Sequence, residues 1–244
     1  MRWYVISLTA IFVFIIALCS CSNSPGKPKA SDIPIIPSDV ADFQLLYKQN
    51  CAGCHGSDGK GGPAISLGDP VYLAIAGDEV LHRVITNGMA GTLMPAFGQT
   101  AGGMLTDKQI DAIVSGIRDR WSKPDGLVGQ NPPSYSSSDS GDASRGFNVY
   151  LTYCSSCHGT DGRGGKKAGS IVDPSFLALT NDQMLRTIVI VGRPELGAPD
   201  WRGNVPGKPM SGQEVSDVVT WLASQRKPFP GQPYPNTKLI GEMR

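Results

Sequence analysis

Cys51-Ala52-Gly53-Cys54-His55 and Cys154-Ser155-Ser156-Cys157-His158 set the same frame twice in one chain. The likeness spreads outward from both. Asp69-Pro70 matches Asp173-Pro174, Asp78 matches Asp182, Leu81 matches Leu185, Gly88 matches Gly192 and Pro95 matches Pro199, each pair 104 positions apart. Leu105-Thr106-Asp107-Lys108-Gln109-Ile110 then aligns with Met210-Ser211-Gly212-Gln213-Glu214-Val215 at an offset of 105. The pattern is a tandem duplication of a unit of about 85 residues, too long for a solenoid repeat. The copies are placed at 38–122 and 142–226. Residues 123–141, with Pro132, Pro133 and a run of serines, suit a solvated linker.

Each copy reads as helical, and the fold class is all-α. Residues 39–50 and 143–153 carry apolar side chains at helical spacing just before each Cys pair. Thr106 and Ser211 suit N-caps of a last helix, with Ile110, Ile113, Val114 and Ile117 in one copy and Val215, Val218, Val219 and Leu222 in the other. Middle helices are expected over 75–86 and 181–190. The β-branched run Ile188 to Val191 could be a strand, but its start matches Val84-Ile85, which favours helix.

The chemistry of Cys-x-x-Cys-His is specific. Two thiols three apart on a helical turn can each add to one vinyl group of a haem, and the following His then faces the iron. A thioredoxin-like pair gives no reason for the His. A zinc site wants further Cys or His, and the chain has 3 His in all, of which His55 and His158 are in the motifs. Disulfides Cys51–Cys54 and Cys154–Cys157 would explain neither His. The motif pair therefore predicts two covalently attached haem c groups, on Cys51 and Cys54 and on Cys154 and Cys157.

With Tyr47, the run from Cys54 to Pro63 and Leu93-Met94-Pro95-Ala96-Phe97 in one copy, and Gly146, Tyr150, Gly164-Gly165 and Trp221 in the other, each unit resembles a small class I cytochrome c domain. The pair resembles bacterial diheme c-type cytochromes. The resemblance implies His55 and His158 as proximal iron ligands and a Met in the loop before the last helix as the distal one. Met94 fits that place in the first copy. In the second, Ala198 aligns with Met94, and Met210 is the next candidate, its rival role being a hydrophobic staple on Val215 as Leu105 is on Ile110. The resemblance also implies that the Pro63 carbonyl orients the proximal ring, a place held by Lys166 in the second copy, and that Arg83, Arg186 and Arg193 are candidate partners of haem propionates. First and last helices should cross closely, with Gly146 against Trp221 and, sizes exchanged, Phe43 against Gly116.

The ends of the chain are of another kind. Residues 3–18 are almost wholly apolar after Arg2, and Leu18-Cys19-Ser20-Cys21 resembles a lipobox. This predicts a signal peptide over 1–20, lipidation at Cys21 and a tether over 21–37, with an uncleaved anchor as the alternative. Residues 227–244 read as an irregular tail. With 22 basic and 21 acidic residues the net charge is +1, which leaves no basic footprint for nucleic acid. The copies differ mildly: 38–122 holds 9 acidic and 6 basic residues, 142–226 holds 8 and 9. The resemblance implies single-electron transfer with redox protein partners, among them a membrane electron-transfer complex, on the periplasmic side of a bacterial membrane. A haem subunit bound permanently in such a complex, or an oxidoreductase with an open second haem, are the alternatives.

Overall fold

The computed structural model describes residues 34–228, with 26, 28, 29 and 32. Cys21, the apolar segment before it and residues 229–244 lie outside the described residues. The chain divides into two compact units, 1–40 and 41–244. In the first, a 3-10 turn spans Pro37–Asp39. All the α-helices among the described residues belong to the second, and no β-strand is present among them.

The first copy runs α1 (Phe43–Asn50), α2 (Ala52–His55), α3 (Pro70–Ile75), α4 (Asp78–Asn87) and α5 (Asp107–Trp121). The second repeats the order as α6 (Ala143–Tyr153), α7 (Ser155–His158), α8 (Pro174–Ala178), α9 (Asp182–Val191) and α10 (Gly212–Ser224). Ile188 to Val191 are helical. The last helices start on reciprocal capping boxes, Thr106 with Gln109 and Ser211 with Glu214. The short helices α3 and α8, absent from the sequence reading, start at Asp69-Pro70 and Asp173-Pro174. There the Asp carboxylate accepts two backbone N–H groups and proline takes the first helical position.

The cores lie where first and last helices cross. Ile110, Ile113 and Ile117 of α5, and Val215, Val218 and Leu222 of α10, are buried. Each such side chain contributes roughly 1.5–3 kcal/mol. A Cβ at Gly146 would lie 2.0 Å from the Asp217 carbonyl oxygen and 2.9 Å from the Trp221 Cβ, so only glycine lets α6 approach α10 this closely. A Cβ at Gly116 would lie 2.2 Å from the Phe43 ring, the exchanged arrangement expected from the sequence.

The sequence alignment missed a second correspondence. Trp121 packs on Tyr47 (centroids 5.1 Å apart) as Trp221 packs on Tyr150 (4.3 Å), although the two tryptophans are not aligned. Arg118 and Arg226 likewise do one job from different turns. Arg118 bonds Asp78 and the carbonyls of Leu73 and Ala76, and Arg226 bonds Asp182 and the carbonyls of Leu177 and Thr180.

Most of the described residues of 123–141 are exposed, but Pro133 and Tyr135 are buried. Tyr135 is buried, its carbonyl accepts from Gln183, and the Ser134 carbonyl accepts from Arg186. Composition predicted exposure; Gln183 and Arg186 of α9 hold the stretch around Ser134 and Tyr135 while the rest stays largely exposed.

Candidate haem-attachment sites

Each Cys-x-x-Cys-His rides on a short helix that restarts the chain after a break at its first Cys. The Cys51 carbonyl accepts from the N–H groups of Cys54 (3.1 Å) and His55 (3.0 Å), and Cys154 does the same for Cys157 (3.1 Å) and His158 (3.0 Å). Both thiols and the imidazole thus share one turn in each copy. Gly56 ends the first turn at φ +83°, and a Cβ there would lie 1.7 Å from the Lys60 carbonyl oxygen. A Cβ at Gly62 would lie 2.1 Å from the Cys54 carbonyl oxygen, so the following loop folds back hard on the motif.

The loop orients the imidazoles. His55 Nδ1 lies 2.8 Å from the Ile65 carbonyl oxygen, and His158 Nδ1 lies 2.8 Å from that of Gly169. A carbonyl only accepts, so Nδ1 carries the proton and Nε2 keeps its lone pair for a metal. Burial also lowers the His55 pKa, which favours the neutral ring. The acceptor expected from the sequence, Pro63, is therefore corrected to Ile65. The group that faces each ring is main chain beyond that position, and the change from Pro63 to Lys166 does not remove it.

The donor set fits a covalently held haem better than its rivals. Burial, and then the neighbouring thiol, pushes Cys51 and Cys154 up to about 12. Exchange-active thiols are shifted the other way. No cluster of three or more His, Cys, Asp or Glu able to hold a metal ion occurs among the described residues.

Met94 is half-buried in the loop between α4 and α5, where its N–H donates to Thr92 Oγ1 (3.1 Å) and its carbonyl accepts from Met89 (3.0 Å). Met210 is 2% exposed and precedes the α10 cap, as Leu105 precedes that of α5. Of the arginines offered to propionates, Arg186 is buried against Ser134 and Ser216, and Arg193 bonds the Gly62 and Pro63 carbonyls of the first copy. Both are occupied by protein. His82 pairs with Asp111 at 3.4 Å.

Two helical repeats, each opening its loops with a thiol-thiol-imidazole turn, define a c-type cytochrome with two haem-binding repeats. The family model for cytochrome c oxidase, cbb3-type, subunit III, matches residues 38–115 and 141–222, and the chain belongs to that family. It is a diheme cytochrome with two covalently attached haem c groups. It is 30% identical over 141 residues to a cbb3-type cytochrome c oxidase subunit CcoP of Azospirillum sp. (strain B510), covering 53% of this chain and 43% of that one. It is 29% identical over 188 residues to a subunit FixPc of Rhizobium leguminosarum bv. viciae (72% and 58%). It is 27% identical over 180 residues to a cytochrome bc1 complex cytochrome c subunit of Mycobacterium tuberculosis (strain ATCC 25618 / H37Rv; 72% and 60%). The chain spans about half the length of the curated relatives it matches. No helix among the described residues is long and apolar enough to cross a membrane.

Proposed function

We propose that this chain is a one-electron relay that serves a membrane electron-transfer complex from the outer side of a bacterial membrane. Cys51 and Cys54 would hold one haem and Cys154 and Cys157 the other, with His55 and His158 as proximal ligands and Met94 as distal ligand of the first. The carrying observation is the duplicated turn in which Nδ1 is committed to a carbonyl and Nε2 is left for iron. The haems supply the electron exchange; the protein supplies attachment, ring orientation and docking surface. A thioether ligand raises a haem's potential relative to a second imidazole.

The relatives named as oxidase and bc1-complex subunits support a membrane complex as partner, and a permanent place in such a complex is the second reading. Export with a lipid on Cys21 completes the proposal.

Expression in a host that matures c-type haems tests it. Mass spectrometry should find two haems and a diacylglycerol, and a reductive titration should take up two electrons per chain. The double variant C51A/C54A should lose one haem. A colourless chain with free or cross-linked thiols would overturn the reading.

A further inference from the structure

The two copies hang the loop before their last helix on closely similar backbone hydrogen bonds, one of them with its acceptor moved on by a residue, from Ile85 to Ile190 where Val189 aligns. In the first, the N–H groups of Met89, Phe97 and Leu105 donate to the carbonyls of Met94 (3.0 Å), Ile85 (3.0 Å) and Phe97 (2.8 Å). In the second, those of Arg193, Trp201 and Met210 donate to Ala198 (2.9 Å), Ile190 (3.0 Å) and Trp201 (2.9 Å). A capping box follows at once in both. The first and third of these bonds set the correspondence without appeal to side chains. Ala198 stands in the place of Met94, and Met210 stands in the place of Leu105.

Burial agrees with that register. Leu105 and Met210 are 6% and 2% exposed, the apolar residue tucked under the start of the last helix. Met104, the remaining methionine of this region, is 85% exposed and falls opposite Pro209. Met210 thus does the packing work of a leucine.

The second loop has also taken another task. Arg193, in the place of Met89, donates Nη2 to the Gly62 carbonyl (2.9 Å) and Nη1 to the Pro63 carbonyl (3.2 Å) of the first copy. Its Nε pairs with Glu195, and both side chains are largely covered. The loop that presents Met94 in one copy is, in the other, a clamp between copies.

We infer that neither Ala198 nor Met210 supplies a ligand to the distal side of the second haem, and that this side is a binding position for a small π-accepting diatomic molecule. The inference rests on the reading that both Cys-x-x-Cys-His turns carry haem. It assigns the first haem to electron relay alone and gives the second a ligand-binding role.

Carbon monoxide added to the reduced, fully matured chain is the probe, with stoichiometry read from the Soret band and far-red charge-transfer absorption read on the oxidised protein. Wild type should take one carbon monoxide per chain and show one methionine-type band. M210L, which installs the first copy's residue, should change neither. A198M should abolish carbon monoxide binding and add a second band, and M94A should raise the stoichiometry to two. A wild type that takes none overturns the inference: if M210L then opens a site, Met210 is the ligand, and if it does not, another protein group is. Fewer than two haems by mass would instead overturn the underlying reading.

Discussion

At the scale of single residues, the tyrosine before each motif shows how side chains hold the attachment turn. Tyr47 Oη donates to the Gly56 carbonyl at 2.8 Å and Tyr150 Oη to that of Gly159. In Y47F that carbonyl loses a partly buried partner, a loss of about 1 kcal/mol, which chemical denaturation of the holoprotein should register. Asp217 adds a pH dependence. Its carboxylate, almost wholly buried, accepts from Arg145, from the Asp142 N–H and from Gln213. The Arg145 hydrogen bond is the first cause that holds its pKa below the usual aspartate range, against a burial effect of opposite sign. A lowered pKa contributes stability above the unfolded value and loses it as pH falls toward the folded one. The gap in denaturation midpoint between wild type and D217N should be widest near neutrality and should narrow as the pH falls through and below the ordinary aspartate range. A gap independent of pH would assign Asp217 a purely steric role. The candidate proximal histidines were readable at this scale because the motif is contiguous. Their acceptors were not, because only the folded loop decides which carbonyl meets the ring.

At the scale of elements, the helix crossings separate two glycines that look alike in sequence. On an exposed helix Gly→Ala stabilises by roughly 0.5–1 kcal/mol. G146A drives a Cβ against the backbone of α10, which cannot yield unless the helices part. We expect a loss of about 1–3 kcal/mol, the range for overpacked cores. G116A meets the Phe43 ring, a side chain that can turn, and should cost less. Equal costs would show that both crossings adjust by the same motion. The capped helices α5 and α10 were readable from periodicity. The exchange of Trp121 for Trp221 and of Arg118 for Arg226 was not: a long side chain reaches the same spot from another turn, which an alignment of positions cannot register.

At the scale of the whole molecule, Arg193 joins the loop beside the first attachment turn to the loop between α9 and α10 of the second copy. Its side chain is 17% exposed, and hydrogen bonds to charged groups contribute about 1.5–3 kcal/mol each. R193A should accelerate amide exchange across 62–68 and 193–198 by about tenfold or more, since 1.4 kcal/mol is a factor of ten, while both haems stay attached. Unchanged protection would show that packing alone holds the copies together.

By itself the sequence determined the duplication, the all-helical class, the attachment turns and the last-helix caps. All of these are written in short, contiguous spacings that act through local hydrogen bonds. The tertiary structure alone decided which carbonyl orients each imidazole, that the linker is held at Ser134 and Tyr135 by α9, and that Met210 packs like Leu105 while Arg193 crosses to the other copy. These outcomes depend on groups far apart in the chain, and their energies come into being only when the loops close.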